Sequence, residues 1–154
     1  MKKNLLHLSF WSFLILLSLS VSAQNSKDQS FEFVFMTDIH VQPELQAAQG
    51  LAKAIEKTNS LNPDFVITGG DLIMDALKQT KGRADSLYYL YLSLQKNFKM
   101  PVYNTPGNHE HYAFYMRDEI ERTDPDYGDK MFRRHIGKPY YSFNHKGWHF
   151  IILN

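Results

Sequence analysis

Apolar positions along this chain fall into short unbroken runs separated by stretches with helical spacing. Phe31-Glu32-Phe33-Val34-Phe35-Met36 is aromatic and β-branched, and the pattern predicts a buried strand. From about Glu44 to Thr58, Leu45, Ala48, Leu51, Ile55 and Thr58 recur at the period of an amphipathic helix, with Pro43 suited to its first turn. Phe65-Val66-Ile67-Thr68 predicts a second buried strand after the turn residues Asn62-Pro63-Asp64. Leu87, Leu90, Tyr91, Leu94 and Phe98 predict a second amphipathic helix from about Asp85, and Pro101-Val102-Tyr103-Asn104 a third strand. The pattern weakens between Phe114 and Lys138, where a short helix near residues 115–122 and a loop through Asp124–Gly128 are expected. Tyr140–Phe143 and Trp148–Leu153 flank Asn144-His145-Lys146-Gly147 and predict a hairpin with a turn of about four residues.

The order β-α-β-α-β with continuous apolar strands is that of a parallel sheet covered by helices, an α/β fold. In open α/β sheets the carboxyl ends of the strands gather the ligand site. Each of the three strands runs into a polar cluster: Asp38-Ile39-His40, Gly70-Asp71 and Gly107-Asn108-His109-Glu110. The topology therefore predicts that these clusters converge. Asp-x-His pairs oxygen and nitrogen donors, which suits Mn, Fe or Zn better than Ca. Taken singly, Asp-x-His and Gly-Asp also occur as ordinary strand ends and turns, and Asn108 could be no more than a helix cap.

The three motifs in this order and spacing resemble the calcineurin-like metallophosphoesterases. The resemblance implies a two-sheet αββα sandwich, of which residues 31–154 supply the N-terminal half, βαβαβ followed by a hairpin. It implies hydrolysis of phosphate monoesters or diesters at a dinuclear site of divalent or trivalent metal ions, with a phosphate-ester substrate. By the same resemblance Asp38 and His40 bind the first metal, Asp71 bridges both, and Asn108 binds the second. His109 stands beside the substrate as the catalytic residue, and Glu110 orients His109. The family draws further histidines from later motifs, a Gly-His and a Gly-His-x-His, and neither occurs in these 154 residues. Met74 stands where the protein serine/threonine phosphatases have Asp, which sets that subgroup aside. His111, His135, His145 and His149 are read as surface or strand residues and not as ligands. Because the chain stops at Asn154 directly after an apolar strand, the domain is expected to continue beyond it. The alternative is an inactive fragment or a non-catalytic exported metal-binding domain.

Composition adds little to this and removes some classes. Hydrophobic residues make up 44% and the formal net charge is +1, so the chain is globular and lacks the basic excess of a nucleic-acid surface. No cysteine is present, which excludes disulfides, thiolate ligands and a cysteine nucleophile. Lys2 and Lys3, the apolar stretch from Leu5 to Val21 and the small residues Val21-Ser22-Ala23 have the order of a secretory signal over residues 1–23, the competing reading being an uncleaved membrane anchor. A polar tether, 24–30, follows. Cleavage would lower Lys+Arg from 17 to 15 against 16 acidic residues. The expected location is periplasmic or secreted, with no stable membrane anchor once the signal is removed.

Overall fold

A computed structural model describes residues 30–116 and 118–154. The expected signal segment 1–23 and nearly all of the tether lie outside the described residues. The element order is β1 (Phe33–Met36), α1 (Ala47–Leu61), β2 (Phe65–Thr68), α2 (Lys81–Gln95), β3 (Val102–Tyr103), a 3-10 turn (Asn108–Glu110), α3 (Lys130–His135), β4 (Tyr141–His145) and β5 (Trp148–Ile152). Strands β1, β2 and β3 form a parallel sheet in that order, with Phe33 opposite Phe65 and Val66 opposite Val102. Strands β4 and β5 form a separate antiparallel pair. The α/β architecture of βαβαβ followed by a hairpin is the one the sequence pattern predicts.

The two faces of β2 show how the layers form. Phe65 points toward the hairpin and meets Phe143 and Phe150 edge-on, at 5.5 and 5.3 Å between ring centres. Tyr103 stacks on Phe143 at 3.5 Å on the same face. Leu51 and Ile55 of α1 join Ala84, Leu87, Tyr88 and Tyr91 of α2 in the main apolar core. Buried apolar area of this kind supplies most of the drive to fold.

The expectation that β1 is buried fails along the strand, where Val34 and Met36 are only half-buried. Phe33 and Phe35 are 44% and 60% exposed. β1 is an outer strand of the three, and the hairpin reaches only as far as Phe33, whose ring lies 6.2 Å from Phe150.

Element ends depart from the periodicity for local reasons. α1 begins at Ala47, not Glu44, because Leu45 and Gln46 take left-handed backbone angles (φ 54° and 59°). α2 begins four residues before Asp85, because Thr80 caps it: its hydroxyl oxygen accepts the Arg83 N–H at 3.3 Å. Residues 115–116 and 118–122 show turns and a bend with no helix among them, and the helix of this region is α3. Only Met131 and Phe132 of α3 are buried, too few for a period to show. The hairpin turn is two residues long, Lys146-Gly147, both at positive φ (43° and 83°), so Asn144 and His145 extend β4.

α3 docks on α2 through charge. Arg134 bridges Asp126 and Asp85, both at 2.6 Å, and Lys81 pairs with Asp126. His135, expected to be solvated, has a side chain only 4% exposed, stacks on Tyr88 at 4.6 Å and reaches Asp85 at 2.7 Å. No helix among the described residues is long and apolar enough to cross a membrane.

Candidate metal centre

The loop after β1 and the loop after β2 run side by side. Asp38 N–H donates to the Gly70 carbonyl at 3.2 Å, His40 N–H to the Asp71 carbonyl at 2.8 Å, and Val41 N–H to the Leu72 carbonyl at 3.0 Å. Asp38, His40 and Asp71 all adopt left-handed backbone angles, φ 55°, 47° and 51°. A non-glycine residue holds that conformation only where its surroundings enforce it, and such residues concentrate at functional sites. Here the enforcing bonds are the paired loops.

Each carboxylate has one oxygen tied down and the other turned to the cleft. Thr37 Oγ donates to Asp38 Oδ2 at 2.7 Å, leaving Asp38 Oδ1 3.8 Å from His40 Nε2. His109 N–H donates to Asp71 Oδ1 at 3.1 Å, leaving Asp71 Oδ2 3.8 Å from His40 Nε2. Separations of 3.8 Å are too long for hydrogen bonds. They leave room for a cation bonded to each donor at about 2.0–2.2 Å. His40, Asp71 and His109 each offer a ligand atom within 4.8 Å of the other two, a group able to hold a metal ion. The buried Nδ1 of His40 has no hydrogen-bond partner. A mixed imidazole and carboxylate set, with His40 Nε2 facing both carboxylates, fits a first-row metal.

His109 is placed as more than a neighbour of substrate. Its Nδ1 bonds the Met74 carbonyl, and its ring lies edge-on to His40 at 4.6 Å. A carbonyl only accepts, so Nδ1 carries the proton and Nε2 is left to act. The sequence motif pointed to His109 but not to its membership in the ligand group. Nor did it point to the anchoring parts played by Thr37 and Met74, which are a hydroxyl and a backbone carbonyl without a motif. Asn108 opens the 3-10 turn beside His109 with an exposed side chain.

Glu110 was expected to orient His109. Its bonds run instead to backbone. Oε1 accepts from Leu72 and Ile73 N–H at 2.8 and 3.1 Å, and Oε2 from Asp71 and Gly107 N–H at 2.9 and 2.6 Å. The residue is fully buried, and burial pushes its carboxyl above the usual range against the pull of the Gly107, Ile73 and Leu72 N–H groups. Glu110 thus ties the loop after β3 to the loop after β2. Glycine makes the close approach feasible: a Cβ on Gly107 would meet Asp71 N at 2.5 Å, and one on Gly70 would meet the Gly107 Cα at 2.6 Å. α2 secures the same region, with Tyr88 Oη donating to the Glu110 carbonyl at 2.9 Å and Tyr91 Oη to Asn104 Oδ1 at 2.6 Å.

A strand-end cluster of carboxylates and imidazoles on a parallel sheet defines an α/β domain with a group able to hold a metal ion. The chain belongs to the calcineurin-like phosphoesterase family, whose model matches residues 31–151. A Caenorhabditis elegans protein named as a metallophosphoesterase is 29% identical over 96 residues, covering 61% of this chain and 18% of that protein. The crystal structure of a dimetal phosphatase from Danio rerio is similar with a TM-score of 0.48 and 18% identity, over 59% of this chain and 34% of that one. The chain spans well under half the length of each of these relatives.

Proposed function

We propose that this chain is the N-terminal, metal-binding part of an exported phosphoesterase that hydrolyses phosphate monoesters or diesters at a dinuclear site. The observation that carries this reading is the gathering of His40, Asp71 and His109 donor atoms within 4.8 Å, on loops held by the family's three motifs. When bound, two cations of the Mn, Fe or Zn class supply charge that holds phosphoryl oxygens and a water made acidic enough to attack.

The chain's own residues have distinct parts in this proposal. Asp38 Oδ1 and His40 would hold the first cation, with Asp71 offering Oδ2 while its other oxygen is held by the His109 amide. Asn108 would hold the second cation. His109 keeps a proton on Nδ1 through Met74 and offers its second nitrogen to the cleft. That nitrogen either ligates a cation, as its grouping with His40 and Asp71 favours, or, when the ring takes up a second proton as imidazolium, passes that proton to the leaving oxygen. Export rests on the order of charge, apolar stretch and small residues in 1–23.

The test is metal content and turnover of an aryl phosphate by the full-length protein, with and without Asp71→Asn. Loss of a direct ligand should lower metal affinity by more than the roughly 10–100-fold seen for residues that only orient ligands, and activity with it. An Asp71→Asn protein with unchanged metal content and turnover would sink the proposal. Metal uptake by the unmutated protein without turnover of any phosphate ester would favour the non-catalytic metal-binding reading.

A further inference from the structure

Gly107 is held on both sides by side chains of its own motif, through its N–H in one peptide group and its carbonyl in the next. Gly107 N–H donates to Glu110 Oε2 at 2.6 Å, and the Gly107 carbonyl accepts from His111 Nδ1 at 2.9 Å. Because a peptide group is planar, fixing the Gly107 carbonyl also fixes the Asn108 N–H and the direction in which its Cα leaves. Glu110 serves four backbone amides at once and so braces the whole loop, whereas His111 acts on this carbonyl alone. The His111 ring is seated for the task. It is half-buried, its backbone N–H is on the Asn108 carbonyl at 3.1 Å, and its ring meets Phe114 edge-on at 6.4 Å. The Asn108 side chain is exposed, so its direction depends on the backbone beneath it.

We infer that His111 is a positioning residue: its Nδ1–H holds the Gly107–Asn108 peptide so that the Asn108 side chain faces the second cation. This rests on the metal-dependent reading above. It gives the fifth residue of Gly-Asn-His-Glu-His, expected to be a surface residue, a part in the site. The group able to hold a metal ion among the described residues takes in His40, Asp71 and His109 and not His111.

Two variants separate the donor from the ring. His111→Phe keeps the packing against Phe114 and removes the N–H, while His111→Asn removes the ring and keeps a side-chain N–H near the carbonyl. Two measurements are made on the full-length protein: the backbone amide shift of Asn108 without metal, and a calorimetric titration with manganese. His111→Phe should move the Asn108 amide and weaken the weaker manganese-binding event about 10–100-fold, the range for residues that orient ligands, with the tighter event unmoved. His111→Asn should recover most of both. A His111→Phe protein that matches the unmutated one in amide shift and titration overturns the inference, as does equal weakening of both binding events. If the unmutated protein takes up no manganese, the metal-dependent reading fails. The Asn108 amide shift, read without metal, still decides whether His111 sets that peptide.

Discussion

Glu110→Ala should be among the most damaging single substitutions in this chain, and the structure gives its size. The carboxylate satisfies four backbone N–H groups, two per oxygen. Removing it leaves all four without their acceptor in a place where Glu110, Leu72 and Ile73 are fully buried. An unsatisfied buried donor costs about 1–3 kcal/mol. Gly107 and Asp71 border the cleft, where water can replace the lost bond, so only the Leu72 and Ile73 amides are counted in full. Those two give about 2–6 kcal/mol, with a loss near 4 kcal/mol as the central expectation. That is a large share of the roughly 5–15 kcal/mol by which domains are stable. Glu110→Gln keeps one acceptor oxygen for two of the four amides and also sheds the cost of a buried charge, so its loss should be about half as large. Urea unfolding followed by tryptophan fluorescence measures both. A Glu110→Ala protein within about 1 kcal/mol of the unmutated one would refute the clamp, because the loss would fall below that of even one orphaned pair of amides.

The parallel sheet was legible because Phe65-Val66-Ile67-Thr68 is an unbroken apolar run, and a run of that kind fits a strand covered on both faces. The convergence of the three motifs followed from topology, and the structure brings His40, Asp71 and His109 together as expected of strand ends. What sequence could not give was the direction of individual bonds. Glu110 and His109 are neighbours in the chain, yet the 3-10 turn sends Glu110 inward to four amides and His109 toward Met74. Likewise His135 lies in a stretch of mixed charge that reads as solvated, and becomes buried only because Tyr88 and Asp85 of α2, about fifty positions away, present a flat ring and a carboxylate. Phe35 erred the other way: its pattern is that of a buried residue, but its exposure depends on what lies beside an outer strand. Short-range pattern thus carries element identity, and long-range contacts decide which polar groups are structural.

Gly107→Ala should cost about 3 kcal/mol and lower metal affinity, since its Cβ would strike backbone at Asp71 N, whereas Gly50→Ala in α1 should gain about 0.8 kcal/mol because nothing lies within 4 Å of the added methyl. Thermal melts and a manganese titration check the pair, and a harmless Gly107→Ala would show that the loops are not in close contact. The turn of the hairpin makes an acid-sensitive link to the far end of the sheet. Asp64 accepts from Lys146 Nζ at 2.8 Å, from the Glu32 N–H at 3.1 Å and from His145 Nε2 at 3.1 Å. The Lys146 hydrogen bond leads the others in pulling the Asp64 carboxyl down from 3.8 to about 2. Between those two values the unfolded chain binds a proton that the folded chain does not, so the contribution to stability is present above pH 3.8 and is lost as the pH falls through about 2. Lys146→Met should therefore flatten the rise of melting temperature with pH across that window and leave the carboxyl of Asp64 nearer its ordinary value. Because Asp64 is open to solvent, added salt should shrink the difference between the two proteins. Parallel melting curves for Lys146→Met and the unmutated protein from pH 2 to pH 5, at low salt, would show that Lys146 is not what holds the carboxylate ionised.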